Sequence, residues 1–244
     1  MRELCRFMIA LQFLSTLPVR LKNTPDPEYS AGALLYYPLV GLLIGMLLSI
    51  FARITYGLPG NLQASLVLAA WVLLTGGLHL DGLADSVDAW VGGLGDREKT
   101  LTIMKDPCCG PAGVVALLLV LLTKFSALEA VLGRHSWESL ILAPTLARTA
   151  LVLLFRTTPY VRPNGLGSSI AAHLDRRAAT IAIVLAATLL TWFFRDDAIR
   201  SLLVCAAGFC VMRRLMLRRI GGTTGDTAGM LVEVSETLVL FAVL

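Results

Sequence analysis

The densest chemistry-bearing run is His79-Leu-Asp81-Gly-Leu-Ala-Asp85-Ser-Val-Asp88-Ala-Trp90, followed by Asp96 and then Lys105-Asp106. Asp81, Asp85 and Asp88 stand at i, i+4 and i+7, which on a helix gathers them within about 60° of one face. Three carboxylates so close repel one another unless a cation lies between them. Hard carboxylate oxygens select Mg2+, Mn2+ or Ca2+, and Mg2+ characteristically binds a few carboxylates together with substrate phosphates. The run is therefore read as a metal–diphosphate site with Asp81, Asp85 and Asp88 as ligands, against the alternative of a solvated acidic helix end. Gly76-Gly77 and Gly92-Gly93 bracket it and let backbone come close to a ligand. Lys105 is either a phosphate partner or a solvated lysine beside the membrane. His79 could orient a carboxylate, accept a proton or be structural.

A second signal is Gly221-Gly222-Thr223-Thr224-Gly225-Asp226, with Glu233 and Glu236 following. A glycine-rich turn at a helix N-terminus offers backbone N–H groups and a positive dipole end to an anion, which makes Gly221, Gly222, Thr224 and Gly225 expected binding residues. The turn lacks the GKS or GKT of a Walker motif, so ATP hydrolysis has no support. Asp226, Glu233 and Glu236 fall within about 80° on a helical wheel. Carboxylates in an apolar stretch are costly and functional by default, so Asp226 and Glu233 are placed in the metal set. A third loop, Tyr160-Val-Arg162-Pro-Asn164-Gly165-Leu-Gly167, puts Arg162 beside a glycine turn, where it could clamp a phosphate. Lys124 and Arg148 lie inside apolar stretches and each needs a carboxylate, a phosphate or a route to the surface.

The elements that must position these groups are membrane helices. The chain has 244 residues, 56% of them hydrophobic and only 16% charged, with a mean hydropathy of +0.74. Soluble domains carry about 25% charged residues. That composition excludes disordered, fibrous, disulfide-rich secreted and ordinary cytosolic classes. The net charge of +4 comes from dispersed basic residues and does not suggest a nucleic-acid partner. The five cysteines show no CxxC spacing, so neither a disulfide framework nor a zinc site is expected. Apolar spans run over Ala31–Arg53, Leu62–Leu80, Pro111–Leu132, Trp137–Phe155, Ala178–Phe194, Ile199–Met212 and Thr227–Leu244, each near the ~20 residues a crossing needs. The sixth is short and would extend into Met216. The acidic run reads as a continuation of the second.

The expected fold is thus all-α: a polytopic membrane bundle of six to seven transmembrane helices with active-site loops on the cytoplasmic side. Residues 1–244 form one catalytic domain, with residues 1–22 an interfacial amphipathic helix carrying Phe7, Leu11 and Leu14 on one face. With the N-terminus on side one, that side collects fifteen Lys and Arg and the other only four, the remaining two lying inside spans. Positive charge marks the cytoplasmic side, so the N-terminus and the long polar loops 81–110, 157–177 and 213–226 are cytoplasmic.

These motifs converge on a known family. Thr75-Gly-Gly-Leu-His-Leu-Asp-Gly-Leu-Ala-Asp-Ser-Val-Asp88, Ile103-Met-Lys-Asp106, Arg162 to Gly167, Gly221 to Asp226 with its two later Glu, and Phe13 to Val19 resemble, in order, the cobalamin synthase (adenosylcobinamide-GDP ribazoletransferase) family. The resemblance covers essentially the whole chain. It implies a bacterial inner-membrane, Mg2+-dependent enzyme joining adenosylcobinamide-GDP to α-ribazole, or its 5′-phosphate, and releasing GMP. One carboxylate, Asp85, Asp88 or Asp106, would take the proton of the ribazole hydroxyl. The implied partners are these substrates and the lipid bilayer; a homo-oligomer and association with other enzymes of cobalamin assembly stay open. The chain departs from the family pattern at Pro107-Cys108-Cys109, where a Ser-Arg type pair is usual, so a phosphate contact from there would fall to Lys105 or Arg97. Two other readings compete. A CDP-alcohol phosphotransferase would show Ala-Arg where this chain has Ala84-Asp85 and would lack the glycine-threonine turn. A transporter would show broken midplane helices in symmetric halves.

Overall fold

The structure, a computed structural model, describes residues 2–19, 21, 27–163 and 166–244, apart from the side chains of residues 27, 28 and 166. Arg20, Lys22, Asn164 and Gly165, which enter the charge count and the Arg162–Gly167 loop, lie outside the described residues.

Helices account for nearly all of the described chain: α1 (Arg2–Leu14), α2 (Pro27–Ala33), a 3-10 turn (Leu34–Tyr36), α3 (Tyr37–Ile54), α4 (Gly60–Thr75), α5 (Leu78–Gly92), α6 (Arg97–Ile103), α7 (Pro111–Gly133), α8 (Glu138–Thr157), α9 (Leu166–His173), α10 (Arg176–Ile220) and α11 (Gly225–Ala242). The amphipathic first helix turns Leu11 and Leu14 into the core, as its pattern requires, and packs on α2 and α3.

At the centre stands α8, whose most apolar window is 78% buried. Its tightest partner is α3, and the reason is two glycines one turn apart. A Cβ at Gly45 would come within 2.6 Å of Ile141 Cα, and one at Gly41 would strike the Pro144 carbonyl. Small residues at i and i+4 let two membrane helices touch backbone to backbone, where dispersion replaces the hydrophobic effect as the cohesive force. The outer helices present their apolar side chains away from the protein: Val115, Leu118 and Leu122 of α7 and Ile181, Leu185 and Trp192 of α10 are exposed. An outward apolar belt around a buried centre is the arrangement of a chain solvated by lipid.

Four stretches are long and apolar enough to cross a membrane: Tyr29–Ile54, Pro111–Gly133, Glu138–Thr157 and Arg176–Ile220. A fifth counts if Gly60–Thr75 and Leu78–Gly92 form one broken span. This is fewer than the six to seven expected from sequence, for three local reasons. The stretch Leu62–Leu80 is not one helix: Gly76 (φ 65°) and Gly77 (φ 71°) are both left-handed, and α5 leaves α4 at 86°. Two consecutive residues in that region end a right-handed helix, and glycine adopts it at no steric cost. The acidic helix is therefore a separate element rather than the prolongation of a span. The second reason is that Ala178–Phe194 and Ile199–Met212 fall within the 45 residues of α10. The third is that α11 carries Asp226, Glu233 and Glu236, too many charges for a simple apolar crossing.

The long α10 is nonetheless folded back on itself. Arg195 is non-helical (φ 45°, ψ −115°). Arg156, near the end of α8, donates to Thr180 Oγ1 at 2.9 Å, and Arg213 donates to the Thr157 carbonyl at 2.7 Å. A straight helix would hold residues 180 and 213 about 50 Å apart, yet both meet the same end of α8. As a result the starts of α7, α10 and α11 and the ends of α8 and α10 gather at one end of the bundle. Arg134 and the carbonyl of Leu244 meet at the other.

Gly45→Leu should lower the thermal stability of the detergent-solubilised protein by about 1–3 kcal/mol through overpacking. Gly133→Ala, which meets open space, should leave it unchanged; fluorescence-monitored melting of both proteins checks this.

Candidate active site

The acidic helix and the last helix cross closely because glycines stand at the contact. A Cβ on Gly82 would lie 2.7 Å from the Asp226 carbonyl oxygen, and one on Gly229 would lie 3.2 Å from His79 Cα. That crossing brings Asp81 and Asp85 beside Asp226, close enough that Asp85 feels the negative charge of both. Arg162, from the loop after α8, pairs with Asp226 at 2.8 Å and donates to the Met104 carbonyl at 3.3 Å. Neither Asp81 nor Asp85 takes a hydrogen bond from a described residue. The cluster thus holds three carboxylates against one guanidinium. It stands at one side of a cavity of about 640 Å³ that Asp81, Arg162 and Asp226 line together with His79, Tyr160 and several apolar side chains.

The remaining aspartate of the acidic run does something else. The two oxygens of Asp88 accept the N–H groups of Gly110 (2.7 Å) and Gly113 (2.8 Å), which open α7. A carboxylate there satisfies orphan donors and complements the positive end of the helix. Gly110 and Gly113 leave room for it, since a Cβ on either would collide with the carboxyl group. The expected role of Asp88 as metal ligand or base thus competes with a cap that occupies both oxygens. Cys109 Sγ lies 3.9 Å from the same carboxylate. Its thiol is pushed above the ordinary cysteine value, by desolvation first and then by the Asp88 charge.

Glu233 is likewise placed elsewhere. It is buried in the bundle with Lys124 Nζ at 2.6 Å, and the same ammonium lies 2.5 Å from Glu236. Arg148, fully buried, pairs with the other oxygen of Glu236 and approaches His79 Nδ1 at 3.5 Å. Lys124 also sits over the Trp71 ring, 5.0 Å from its centre. Lys124 and Arg148 therefore find the partners their burial demands, but on α11 rather than in the acidic run. Asp226 and Glu233, close on a helical wheel, are separated by depth: one opens the helix at the cavity, the other lies two turns further in. His79 belongs to both surroundings, lining the cavity while its ring approaches the buried guanidinium.

The glycine-threonine turn is built mostly for its own geometry. Gly221 is left-handed (φ 74°) and ends α10. Gly222 passes so close to the Pro159 carbonyl that no side chain fits. Thr223 N donates to Pro159 O at 2.8 Å and Val161 N to Thr223 O at 2.9 Å. Thr224 caps α11 in a reciprocal box with Thr227. Most of the N–H groups expected to cradle an anion are thereby used internally, and Gly225 alone of the motif opens onto free space. What the turn accomplishes is to bind the Arg162 loop to the start of α11.

Lys105 and Asp106 are exposed in the loop before α7, with Asp106 accepting the Cys108 N–H at 3.0 Å. They are drawn toward the site by Met104, whose sulfur accepts the Thr224 hydroxyl at 3.2 Å and whose carbonyl meets Arg162. Arg97 packs against Gly221. Two participants carried no assignment from sequence. Met104 ties three motifs together, and its only signal was adjacency to Lys105-Asp106. Tyr160 stacks on Phe155 with ring centres 6.0 Å apart and contacts the backbone of Gly167 and Gly225. Burial raises its phenol above the ordinary value, with Arg162 working against that. Among the described residues no group of three or more His, Cys, Asp or Glu is preassembled for a metal ion.

Two substitutions separate the roles. Asp88→Ala should cost about 1–2 kcal/mol of stability as the α7 cap is lost. Glu236→Gln should cost about 3–5 kcal/mol, because it leaves buried cations underpaired. Asp85→Asn should leave the melting temperature near that of the unaltered protein; thermal unfolding in one detergent compares all three.

A family model described as cobalamin-5-phosphate synthase matches residues 6–244. The adenosylcobinamide-GDP ribazoletransferase of Pseudomonas aeruginosa (strain PAO1) is 56% identical over 244 residues, 99% of each chain. The protein of that name from Pseudomonas savastanoi pv. phaseolicola is 54% identical over 237 residues, 96% of each chain. No solved structure matches.

Proposed function

The chain belongs to the cobalamin-5-phosphate synthase family, and on that premise we propose that it is the ribazoletransferase of late cobalamin assembly, working at the cluster of Asp81, Asp85, Asp226 and Arg162. The observation that carries the siting is the pair of α5 carboxylates that take no hydrogen bond from the described residues, beside the Asp226–Arg162 ion pair. Its substrates are adenosylcobinamide-GDP and α-ribazole or its 5′-phosphate. The ribazole hydroxyl oxygen forms a bond to the phosphorus nearer cobinamide, the bond from that phosphorus to the bridging oxygen breaks, and GMP departs with the bridging oxygen. Asp85 receives the hydroxyl proton. Asp88 is held by two backbone N–H groups and Asp106 sits in an exposed turn, which leaves Asp85 the best placed of the three carboxylates first considered. Arg162 draws the transferring phosphate toward α5, and Lys105 the outer phosphate.

Among the described residues, three carboxylates face one arginine, an excess of negative charge where a diphosphate would approach that favours a cation entering with the substrate. The donors are hard oxygens, suited to Mg2+, and an ion that takes one or two carboxylates plus substrate phosphates needs no preassembled protein cage. Asp81 and Asp226 would hold it. When bound, Mg2+ supplies neutralisation of charge on the diphosphate and on the departing GMP.

The gathering of loops 81–110, 157–177 and 213–226 at one end of the bundle supports a cytoplasmic site in a bacterial inner membrane, because those loops hold ten of the 21 Lys and Arg. The fold-back of α10 at Arg195 supports two crossings from that element. With α3, the α4–α5 unit, α7 and α8 the bundle then has six crossings, and seven if α11, whose buried carboxylates are paired within the protein, is counted.

The test is release of GMP by the protein in liposomes given adenosylcobinamide-GDP, α-ribazole and Mg2+, beside EDTA and CDP-diacylglycerol controls. GMP should appear only when ribazole and Mg2+ are both present. Asp81→Asn, Asp85→Asn and Asp226→Asn should each lower turnover at least ~100-fold in protein that still melts normally. CMP from the lipid donor, or near-normal turnover in all three variants, would overturn the proposal.

A further inference from the structure

The cavity beside the acidic cluster has two unlike halves. One end carries Asp81, Arg162 and Asp226; the rest is mostly apolar, with Phe13, Tyr37, Leu151, Phe155 and Ile170, and also takes in Gln12 and Ser30. Within the apolar half stand two parallel aromatic pairs: Phe13 with Tyr37, 6.2 Å apart at 20°, and Phe155 with Tyr160, 6.0 Å apart at 18°. Tyr37, Leu151 and Ile170 are almost wholly buried and form the floor of this half, while Phe13 stands exposed at its edge. At about 640 Å³ the cavity falls in the ~300–1,000 Å³ range of small-molecule sites. It suits a nucleoside-sized ligand and is far too small for a corrinoid carrying a nucleoside diphosphate.

We infer that the apolar half of this cavity is the acceptor subsite, holding the flat bicyclic base of α-ribazole against its aromatic side chains with the ribose directed at Asp81 and Asp226. The inference rests on the proposed reaction and adds to it which substrate enters the protein and which stays outside. α-Ribazole is a riboside of a dimethylated benzimidazole: one end is a planar apolar ring, the other a polyol. The cavity has the same polarity along its length. Aromatic side chains hold such a ring by stacking and area burial, while the hydroxyl that must attack comes to lie at the carboxylate end. The corrinoid donor then presents only its diphosphate to the cluster, from the open side where Lys105 is exposed. The cavity is also the selectivity filter for the base. A pocket that buries two methyl groups favours the methylated ring over smaller ones by a modest factor per methyl.

The experiment uses the full chain in lipid nanodiscs. Ile170→Trp fills the apolar half, Phe155→Ala removes one stacked partner, and Gly133→Ala, which meets open space away from the cavity, is the comparison. Binding of α-ribazole alone is measured by calorimetry, and KM is measured separately for α-ribazole and for adenosylcobinamide-GDP. Ile170→Trp should weaken ribazole binding and raise its KM at least about tenfold, with the donor KM unchanged and Gly133→Ala near the unaltered protein. Phe155→Ala should also narrow the preference for α-ribazole over the riboside of unmethylated benzimidazole. Equal shifts in both KM values, or ribazole binding unmoved by folded Ile170→Trp, would overturn the inference, as would a co-purifying acyl chain that is not displaced by α-ribazole. If the unaltered protein turns over and the variants leave ribazole binding unchanged, the subsite fails and the reaction stands. If ribazole binding responds to Ile170 and no GMP is released, the reaction fails and the subsite stands.

Discussion

Four charges cancel in the interior of this bundle: Lys124 of α7 and Arg148 of α8 against Glu233 and Glu236 of α11. Each would be prohibitively costly alone in an apolar interior, so helix positions that leave any one unpaired are excluded. This is less a source of net stability than a constraint on register. Rotating or sliding α11 by one residue would strand two cations, and α11 is the helix that carries Asp226. The depth and azimuth of the cavity-facing end of α11 are thus fixed two turns below it, by groups buried in the bundle. His79, approaching Arg148 from the first turn of α5, extends the same constraint to the helix that bears Asp81 and Asp85.

Above that level the site is assembled by close backbone contacts. Gly82 and Gly229 let α5 and α11 meet, Gly222 lets the α10–α11 turn pass under Pro159, and Met104 joins the loop before α7 to both Arg162 and Thr224. The four motifs, far apart in sequence, become one surface because small residues occur wherever two segments must touch. Much of the glycine content that looks like ligand-binding loop is scaffolding, and at the cavity it leaves Asp81 and the Asp226–Arg162 pair exposed to a ligand.

The sequence made the helical class legible, along with the apolar stretches and the motifs that meet. Spans 111–132 and 137–155 match α7 and α8 within two residues, since a mainly apolar run of that length bounded by proline or polar residues reads as a helix even with Lys124 or Arg148 inside it. The double glycine at 76–77 was visible, but its consequence was not: only the left-handed backbone at both positions shows that α5 turns aside. The roles of Asp88 and Glu233 were beyond periodicity for a different reason. A helical wheel gives the direction of a carboxylate about its own axis and says nothing of what comes to meet it. Asp88 points with Asp81 and Asp85 but is met by the first N–H groups of α7, which lie more than twenty residues away in sequence.

That carboxylate has a mechanical side. By seating the amide end of α7, Asp88 ties α5 to an element whose other flank, Val114, Leu118 and Leu122, is exposed and apolar. One pair of hydrogen bonds, three and seven residues from Asp85 and Asp81, thus joins the acidic helix to a helix long and apolar enough to cross a membrane.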